Sequence, residues 1–322
     1  MTVVGFHASH EQIPPRELLA AVQEAERVGF DAAMCSDHLA PWGLRQGESG
    51  FAWAWLGAAL QATSLPFGVV TAPVQRLHPA VAAQAIATLA QMHPGRFWAA
   101  LGSGEAMNEH VTGDAWPPKD VRDARLHEAA DVIRRLLDGE EVTVDGHVRV
   151  HRARVWSRPA EAPPLFAAAV GPETAGEVAA WADGLITVAQ EPDALRRVIA
   201  AYRDAGGRGP IAVQVHLSWA EDRDTALAIA HDQWRNGLVT APESWDLEQP
   251  EDFDARTADA SPEEVATVVQ VSADPSEHLD RLAALVGLGF DRIYLHHVGT
   301  EQQGFLETFG EHVLPGLKAV SR

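Results

Sequence analysis

A (β/α)8 barrel, the TIM-barrel class, is the fold this sequence predicts. Short apolar strands recur at roughly 30-residue steps with one helix-forming stretch between them, the rhythm of a parallel sheet. Eight such strands can be read along the chain, and no Gly-x-Gly-x-x-Gly follows the first, which leaves a doubly wound open sheet in second place. In parallel α/β folds the chemistry sits at the carboxyl ends of the strands, and those ends are where this chain places its titratable side chains.

Val3 to His7 is the first strand, and it ends in Ser9-His10-Glu11-Gln12. Pro14-Pro15 opens a helix from Arg16 to Val28 that Gly29 stops, the usual proline-first, glycine-last punctuation. Ala32 to Cys35 is a second strand running directly into Ser36-Asp37-His38 and a Pro41-Trp42 turn. Trp53 to Ala62 reads as an apolar helix, Phe67 to Val70 as the third strand, and His78-Pro79 starts a helix reaching Met92. The fourth strand, Phe97 to Leu101, leads into Gly102-Ser103-Gly104-Glu105-Ala106-Met107-Asn108-Glu109.

Asp120 to Leu137 is a long amphipathic helix ended by Gly139. Val142 to Val150 then alternates around Asp145-Gly146, a strong hairpin signal, so residues 139–160 read as a hairpin insertion outside the parallel sheet. Strands five to seven are Leu165 to Ala168, Gly184 to Val188 and Ile211 to Trp219. Between residues 220 and 271 the rhythm breaks into helical patterns, an acidic loop from Glu248 to Asp254 and scattered prolines, long enough to lid a barrel mouth or form an interface. A helix from Pro275 to Leu288 and an eighth strand, Asp291 to His296, restore the rhythm. A helix from Gln303 to Phe309 and a Pro315-Gly316 stop close the chain. The whole of 1–322 is expected to be one domain.

Composition narrows the function. Of 322 residues 46% are hydrophobic, enough for a large core, and the formal charge of −20 argues against nucleic acid or an anionic membrane as partner. No apolar run approaches the ~20 residues that span a bilayer, no basic and apolar leader precedes the first strand, and we expect a cytoplasmic protein. The single cysteine, Cys35, lies in an apolar strand and reads as a core residue.

If the barrel closes, its mouth gathers His7, His10, Glu11, Asp37, His38, Trp42, Glu105, Asn108, His216 and His296-His297. Imidazoles beside carboxylates suit proton transfer at neutral pH. A metal centre on His7, His216, His296 and Asp37 is the rival, but the first strand lacks His-x-His, and we assign none. Asp37 beside His38 also fits a structural pair at a strand end. Gly102 and Gly104 let backbone approach a ligand closely, and Val170-Gly171-Pro172-Glu173-Thr174 begins a helix whose free N–H groups suit a phosphate.

Ala8-Ser9-His10-Glu11-Gln12, Ser36-Asp37-His38, Pro41-Trp42, His78-Pro79-Ala80-Val81 and Gly102 to Glu109 together resemble the luciferase-like flavin and deazaflavin oxidoreductases. The likeness covers essentially the whole chain and is strongest to the branch of F420-dependent glucose-6-phosphate dehydrogenases and its sister group of probable non-F420 flavinoid oxidoreductases. It implies a barrel, usually a homodimer, with the ring of F420 across the strand ends. His38 would lie beside the reacting carbon, Trp42 near the substrate, and Glu105 would exchange a proton with the ring. Glu11 would be an active-site acid, and Asp37 and Asn108 cofactor contacts. A non-prolyl cis peptide would fall at Val69-Val70 and form part of the cofactor site. Two lysines that grip the sugar phosphate in those dehydrogenases are matched here by Gln190 and Thr267, so a small organic substrate other than glucose 6-phosphate is expected. FMN, held by its single phosphate at the Gly171 turn, is the alternative cofactor, with monooxygenase or reductase chemistry. A flavin-binding barrel without turnover is the alternative of another class.

Overall fold

The computed structural model describes residues 2–320. Its strands are β1 (Val3–Ala8), β2 (Ala32–Ser36), β3 (Phe67–Thr71), β4 (Phe97–Leu101), β5 (Val142–Asp145), β6 (Arg149–Ala153), β7 (Leu165–Ala168), β8 (Gly184–Val188), β9 (Ile211–Trp219), β10 (Gln270–Ser272) and β11 (Arg292–His297). Eight of them, β1-β2-β3-β4-β7-β8-β9-β11, pair in parallel, and β11 returns to β1 to close the barrel. All eight anticipated strands are present to within a residue. The hairpin β5–β6 forms a separate two-stranded antiparallel sheet. β10, too short to be read from sequence, lies on the upper half of β9, where Leu217–Trp219 have run past β8.

Strand alternation sorts the side chains into two cores. Val4, Phe6, Ala33, Cys35, Phe67, Val69, Phe97 and Leu101 face the helices, and Met34, Trp98, Ala100, Phe166, Ile186 and Tyr294 fill the barrel interior. Cys35 is accordingly fully buried, and burial pushes its thiol pKa up.

The interior is not evenly filled. Trp98, Phe166 and Tyr294 plug its lower layer, with ring centroids 4.7 Å apart for Trp98–Phe166 and 5.8 Å for Trp98–Tyr294. Each ring lies beside a glycine on the neighbouring strand: Gly68 is the register partner of Trp98, Gly184 of Phe166 and Gly5 of Tyr294. A Cβ on those glycines would stand 2.0, 2.6 and 2.3 Å from the respective rings. One layer higher the inward positions are His7, Ser36, Val70, Ala100, Ala168, Val188 and His216, small or polar. Rings close the bottom and leave space at the top.

Three details differ from expectation. The run Glu248 to Asp254 is not a loop; Pro250–Arg256 is a helix, because Gln249 and Asp252 make a reciprocal capping box around Pro250. The chain does not stop at Pro315-Gly316: Leu314–Val320 is a further helix, and proline fits its first turn. The Val69–Val70 peptide is not cis. Both residues keep unbroken parallel register with β2 and β4, and among the described residues the cis bond is Ala241–Pro242.

The ring-and-glycine packing yields a direct expectation. Gly68→Ala forces a methyl into the Trp98 ring and should cost about 1–3 kcal/mol in urea unfolding, whereas unchanged stability would show that the plug is loosely packed.

Candidate active site

β1 and β2 deliver the central pair. The chain leaving β1 turns back so that Glu11, 2% exposed, lies beneath the end of β2, where it accepts hydrogen bonds from Ser9 (2.8 Å) and Ser36 (2.5 Å). Its Oε1 stands 2.9 Å from Nδ1 of His38. The other ring nitrogen, Nε2, faces the cavity 3.7 Å from Oε2 of Glu105. Burial pushes the Glu11 carboxyl up, but the adjoining imidazole and the Ser36 hydroxyl outweigh it, and its pKa lies well below the ordinary range. His38 is the mirror case: burial lowers it, and the carboxylates of Glu11, Glu105 and Asp37 overcome that and raise it. An imidazolium is therefore favoured at the mouth.

Glu105 immediately precedes the short helix Ala106–Glu109 after β4, and its side chain makes no bond to that helix's backbone. Burial raises its pKa, against the pull of His38. The amide of Asn108 donates to it at 3.2 Å while accepting from the backbone N–H of Leu39 at 2.8 Å, so Asn108 ties the ends of β2 and β4 together. Gly104 has φ of +83°, a conformation glycine takes without strain, and a Cβ there would press on Val74 and Glu109.

Asp37 is held by three donors: Trp53 Nε1 (3.0 Å), Thr71 Oγ1 (2.8 Å) and Arg76 Nη2 (3.1 Å), all on Oδ2. Its Oδ1 is buried with no partner, and the residue lines the cavity. Glu109, fully buried, also lines it. This carboxyl accepts from the Arg76 backbone at 2.5 Å, has Arg76 Nε 4.0 Å from its Oε1 with no hydrogen bond there, and is pushed by burial to a pKa of about 7 despite Arg76.

The barrel carries a second polar group on β1, β9 and β11. His296 donates from Nε2 to Gln12 at 2.7 Å, Gln214 reaches His216 at 3.1 Å, and the Trp234 ring packs on both imidazoles. His7 adjoins His296 with centroids 4.6 Å apart. Burial drives His7 to a pKa of about 4 and His216 to about 3, so these rings stay neutral, whereas the pKa of His38 is shifted upward.

Comparison with known proteins places this geometry. Residues 1–292 match the family model described as luciferase-like monooxygenase. The chain belongs to the luciferase-like monooxygenase family. It is 36% identical to the F420-dependent glucose-6-phosphate dehydrogenase of Intrasporangium calvum over 99% of this chain and all of that protein. The identity is also 36% to the enzyme of the same name from Beutenbergia cavernae, over 100% of this chain and 99% of the relative. Among solved structures it resembles an F420-dependent secondary alcohol dehydrogenase in complex with an F420–acetone adduct, with a TM-score of 0.91, 30% identity and coverage of 98% and 99%. The F420-dependent tetrahydromethanopterin reductase of Methanopyrus kandleri shares the fold, with a TM-score of 0.77 at 21% identity over 98% and 99% of the chains. These relatives make the chain an oxidoreductase.

In this luciferase-like barrel the expected site residues fall into distinct places. Asp37, His38, Gly102, Gly104, Glu105, Asn108, Val70 and Val170 line one cavity. Glu11 lies behind His38, out of reach of that cavity. Trp42 packs edge-on to His38 at 5.1 Å and rests on Phe253 at 5.4 Å, so the 220–271 segment buttresses it. Val69 faces the helices, because alternation turns it away from Val70. Gly171 caps the helix Pro172–Val178 just beyond the cavity wall formed by Val170. Sequence reading missed the partnership of Arg76 with Asp37 and Glu109. The signal present was Glu109 itself, the last residue of the Gly102 to Glu109 run.

The neutral imidazoles make stability depend on pH. His7, His278 and His297 are lowered by burial to about 4, His216 to about 3, and His296 in the same direction. Below the ordinary value of 6.5 the unfolded chain protonates these rings and the fold does not, so stability falls as pH falls from about 6.5 toward 4. His10 and His93 are lowered by burial as well, whereas His38, Glu105 and Glu109, whose pKa values are raised, act in the opposite sense and offset part of the loss. At roughly 1.4 kcal/mol per unit per group, urea unfolding at pH 5 should show a loss of at least ~2 kcal/mol relative to pH 7; equal stability would contradict neutral buried rings.

Proposed function

We propose that the chain is an F420-dependent oxidoreductase that interconverts a small alcohol and its carbonyl compound, and that glucose 6-phosphate is not its substrate. The observation that carries the reading is His38 Nε2, an imidazole raised by a buried carboxylate at the mouth of a cavity whose wall presents unspent acceptors. A deazaflavin ring carries N–H donors on its pyrimidine edge. Oδ1 of Asp37 is buried at that wall without a partner, and Oε1 of Glu109 makes no hydrogen bond, with Arg76 Nε 4.0 Å away, so the residues fit such a ring. Asp37, Asn108, Val70, Val170 and the Gly102–Gly104 backbone would hold it, and when bound it supplies a two-electron hydride carrier.

The remaining roles belong to side chains. Neutral His38 takes the proton of a substrate hydroxyl at Nε2, and the imidazolium returns it to a carbonyl oxygen. Glu11 holds the ring and stabilises its charged form, in the way a buried carboxylate orients a catalytic imidazole. Glu105, whose raised pKa eases protonation, provides a second proton position on the cavity wall. Trp42 limits the space above His38.

The substrate reading rests on charge. The family resemblance matches Gln190 and Thr267 to the lysines of the sugar-phosphate enzymes. Gln190 spends its amide on the Val170 carbonyl at 2.9 Å, and Thr267 bonds the Glu264 carbonyl at 2.7 Å. Neither offers a phosphate the charge-assisted contacts on which such recognition depends. The resemblance to an F420-dependent secondary alcohol dehydrogenase supports an alcohol as substrate, in contrast to the 36% identical relatives named as glucose-6-phosphate dehydrogenases.

Steady-state turnover with F420 on a series of secondary alcohols and on glucose 6-phosphate separates the two: alcohol oxidation is expected, and efficient sugar-phosphate oxidation would refute the substrate assignment. The alcohol-oxidation rate should climb as pH rises through the raised His38 pKa while carbonyl reduction declines. His38→Ala should lower kcat by about 10²–10⁴-fold with cofactor affinity unchanged. A variant of wild-type activity would remove His38 from the chemistry.

A further inference from the structure

Two cations meet at the outer end of the cavity in a chain that carries 45 acidic and 25 basic residues. The first turn of the helix Lys119–Asp138 presents Lys119 and Arg122, and both line the ring cavity and an adjoining cleft, as does Trp245. Arg122 is 4% exposed. Its guanidinium carbon sits 4.6 Å from the Trp116 ring centroid and 5.9 Å from that of Trp245. Both of its hydrogen bonds leave from Nη1, to the Pro117 carbonyl at 3.1 Å and to Asp246 at 3.3 Å. Nε is buried with no partner. Lys119 reaches Asp123 at 2.5 Å and the Thr174 hydroxyl at 3.5 Å, beside the Val170 wall.

A guanidinium this buried needs its donors matched, and its one carboxylate partner, Asp246, is 58% exposed on its side chain. Two tryptophan faces hold the planar group where it lines the cleft, a setting that suits an oxyanion. We propose that this cleft is a subsite for the anionic extension of the ring cofactor, with Arg122 and Lys119 as the groups that grip it. The inference rests on the cofactor reading above. In F420 the extension is a phosphodiester bearing glutamate carboxylates; in FMN it is a single phosphate. Either anion meets the same two cations, and the two are distinguishable in solution. The acidic surface elsewhere repels such a tail, so the pair also sets the direction in which it leaves the ring.

Fluorescence titration of the intact protein with F420, its tail-less deazaflavin core, FMN and riboflavin tests this in wild type, Lys119→Ala and Arg122→Gln at low and high salt. Wild type should prefer F420 over the tail-less core by about tenfold or more, with salt eroding the preference. Each variant should lose about that factor for F420 and little for the core. Lys119 is partly exposed, so Lys119→Ala keeps the test sound even if Arg122→Gln misfolds. Equal binding of F420 and core, or equal weakening of both in Lys119→Ala, overturns the subsite while leaving the deazaflavin reading intact. If the deazaflavins fail to bind and FMN outcompetes riboflavin in a Lys119-dependent way, the subsite stands with phosphate as its anion and the F420 reading falls. Binding of none of the four overturns both.

Discussion

The division of the barrel interior into a lower layer of rings and an upper layer of small or polar side chains governs what the molecule can do. Trp98, Phe166 and Tyr294 each bury roughly 150–250 Å², and they fit because Gly68, Gly184 and Gly5 stand opposite. With the floor sealed by these rings, the positions above them need not fill space. They are occupied instead by His7, Ser36, Val70, Ala168 and His216, and a cavity opens at the carboxyl ends of the strands. The stability of the fold and the room for chemistry come from the same alternation of large and absent side chains.

The upper layer then sorts its imidazoles by charge. His7, His216 and His296 lie among aromatic and amide groups, and burial keeps them neutral. His38 is less completely buried, 16% exposed on its side chain, but it faces Glu11, itself fixed by Ser9 and Ser36, and is raised. Its hydrogen-bond contact with Glu11, backed by Glu105 and Asp37, thus separates one raised imidazole from a set of lowered ones. Arg76 performs a related service for Asp37, binding one oxygen while the other stays buried without a partner. The segment between 220 and 271 reaches the same region through Phe253 beneath Trp42 and through Asp254, which accepts from the Leu44 N–H at 3.0 Å.

Much of this was legible in the chain. Strand spacing carried the barrel, and the run Ser36-Asp37-His38 carried the position of the central imidazole, because both depend on local pattern. What sequence could not carry was depth. Glu11 and His38 lie 27 positions apart, and nothing local says that the turn after β1 folds under β2. Glu109, four residues beyond Glu105, reads as another helix-face carboxylate until Arg76 arrives from a separate loop. Val69 and Val70 are indistinguishable by composition, and only the register of β3 decides which faces the cavity. The acidic stretch around Glu251 looked like a loop because its charge outweighed the capping pattern of Gln249, Pro250 and Asp252. Three-residue β10 is below the length at which alternation means anything.

The account turns on the claim that a buried Glu11 carboxylate raises His38. NMR titration of the His38 imidazole in the cofactor-free protein, with and without Glu11→Gln, measures it directly. The account predicts a wild-type pKa above 6.5 that drops by about one unit or more in the variant, with the His7 and His216 resonances remaining neutral across the same range. A His38 that titrates at or below 6.5, or one indifferent to the loss of Glu11, would contradict it.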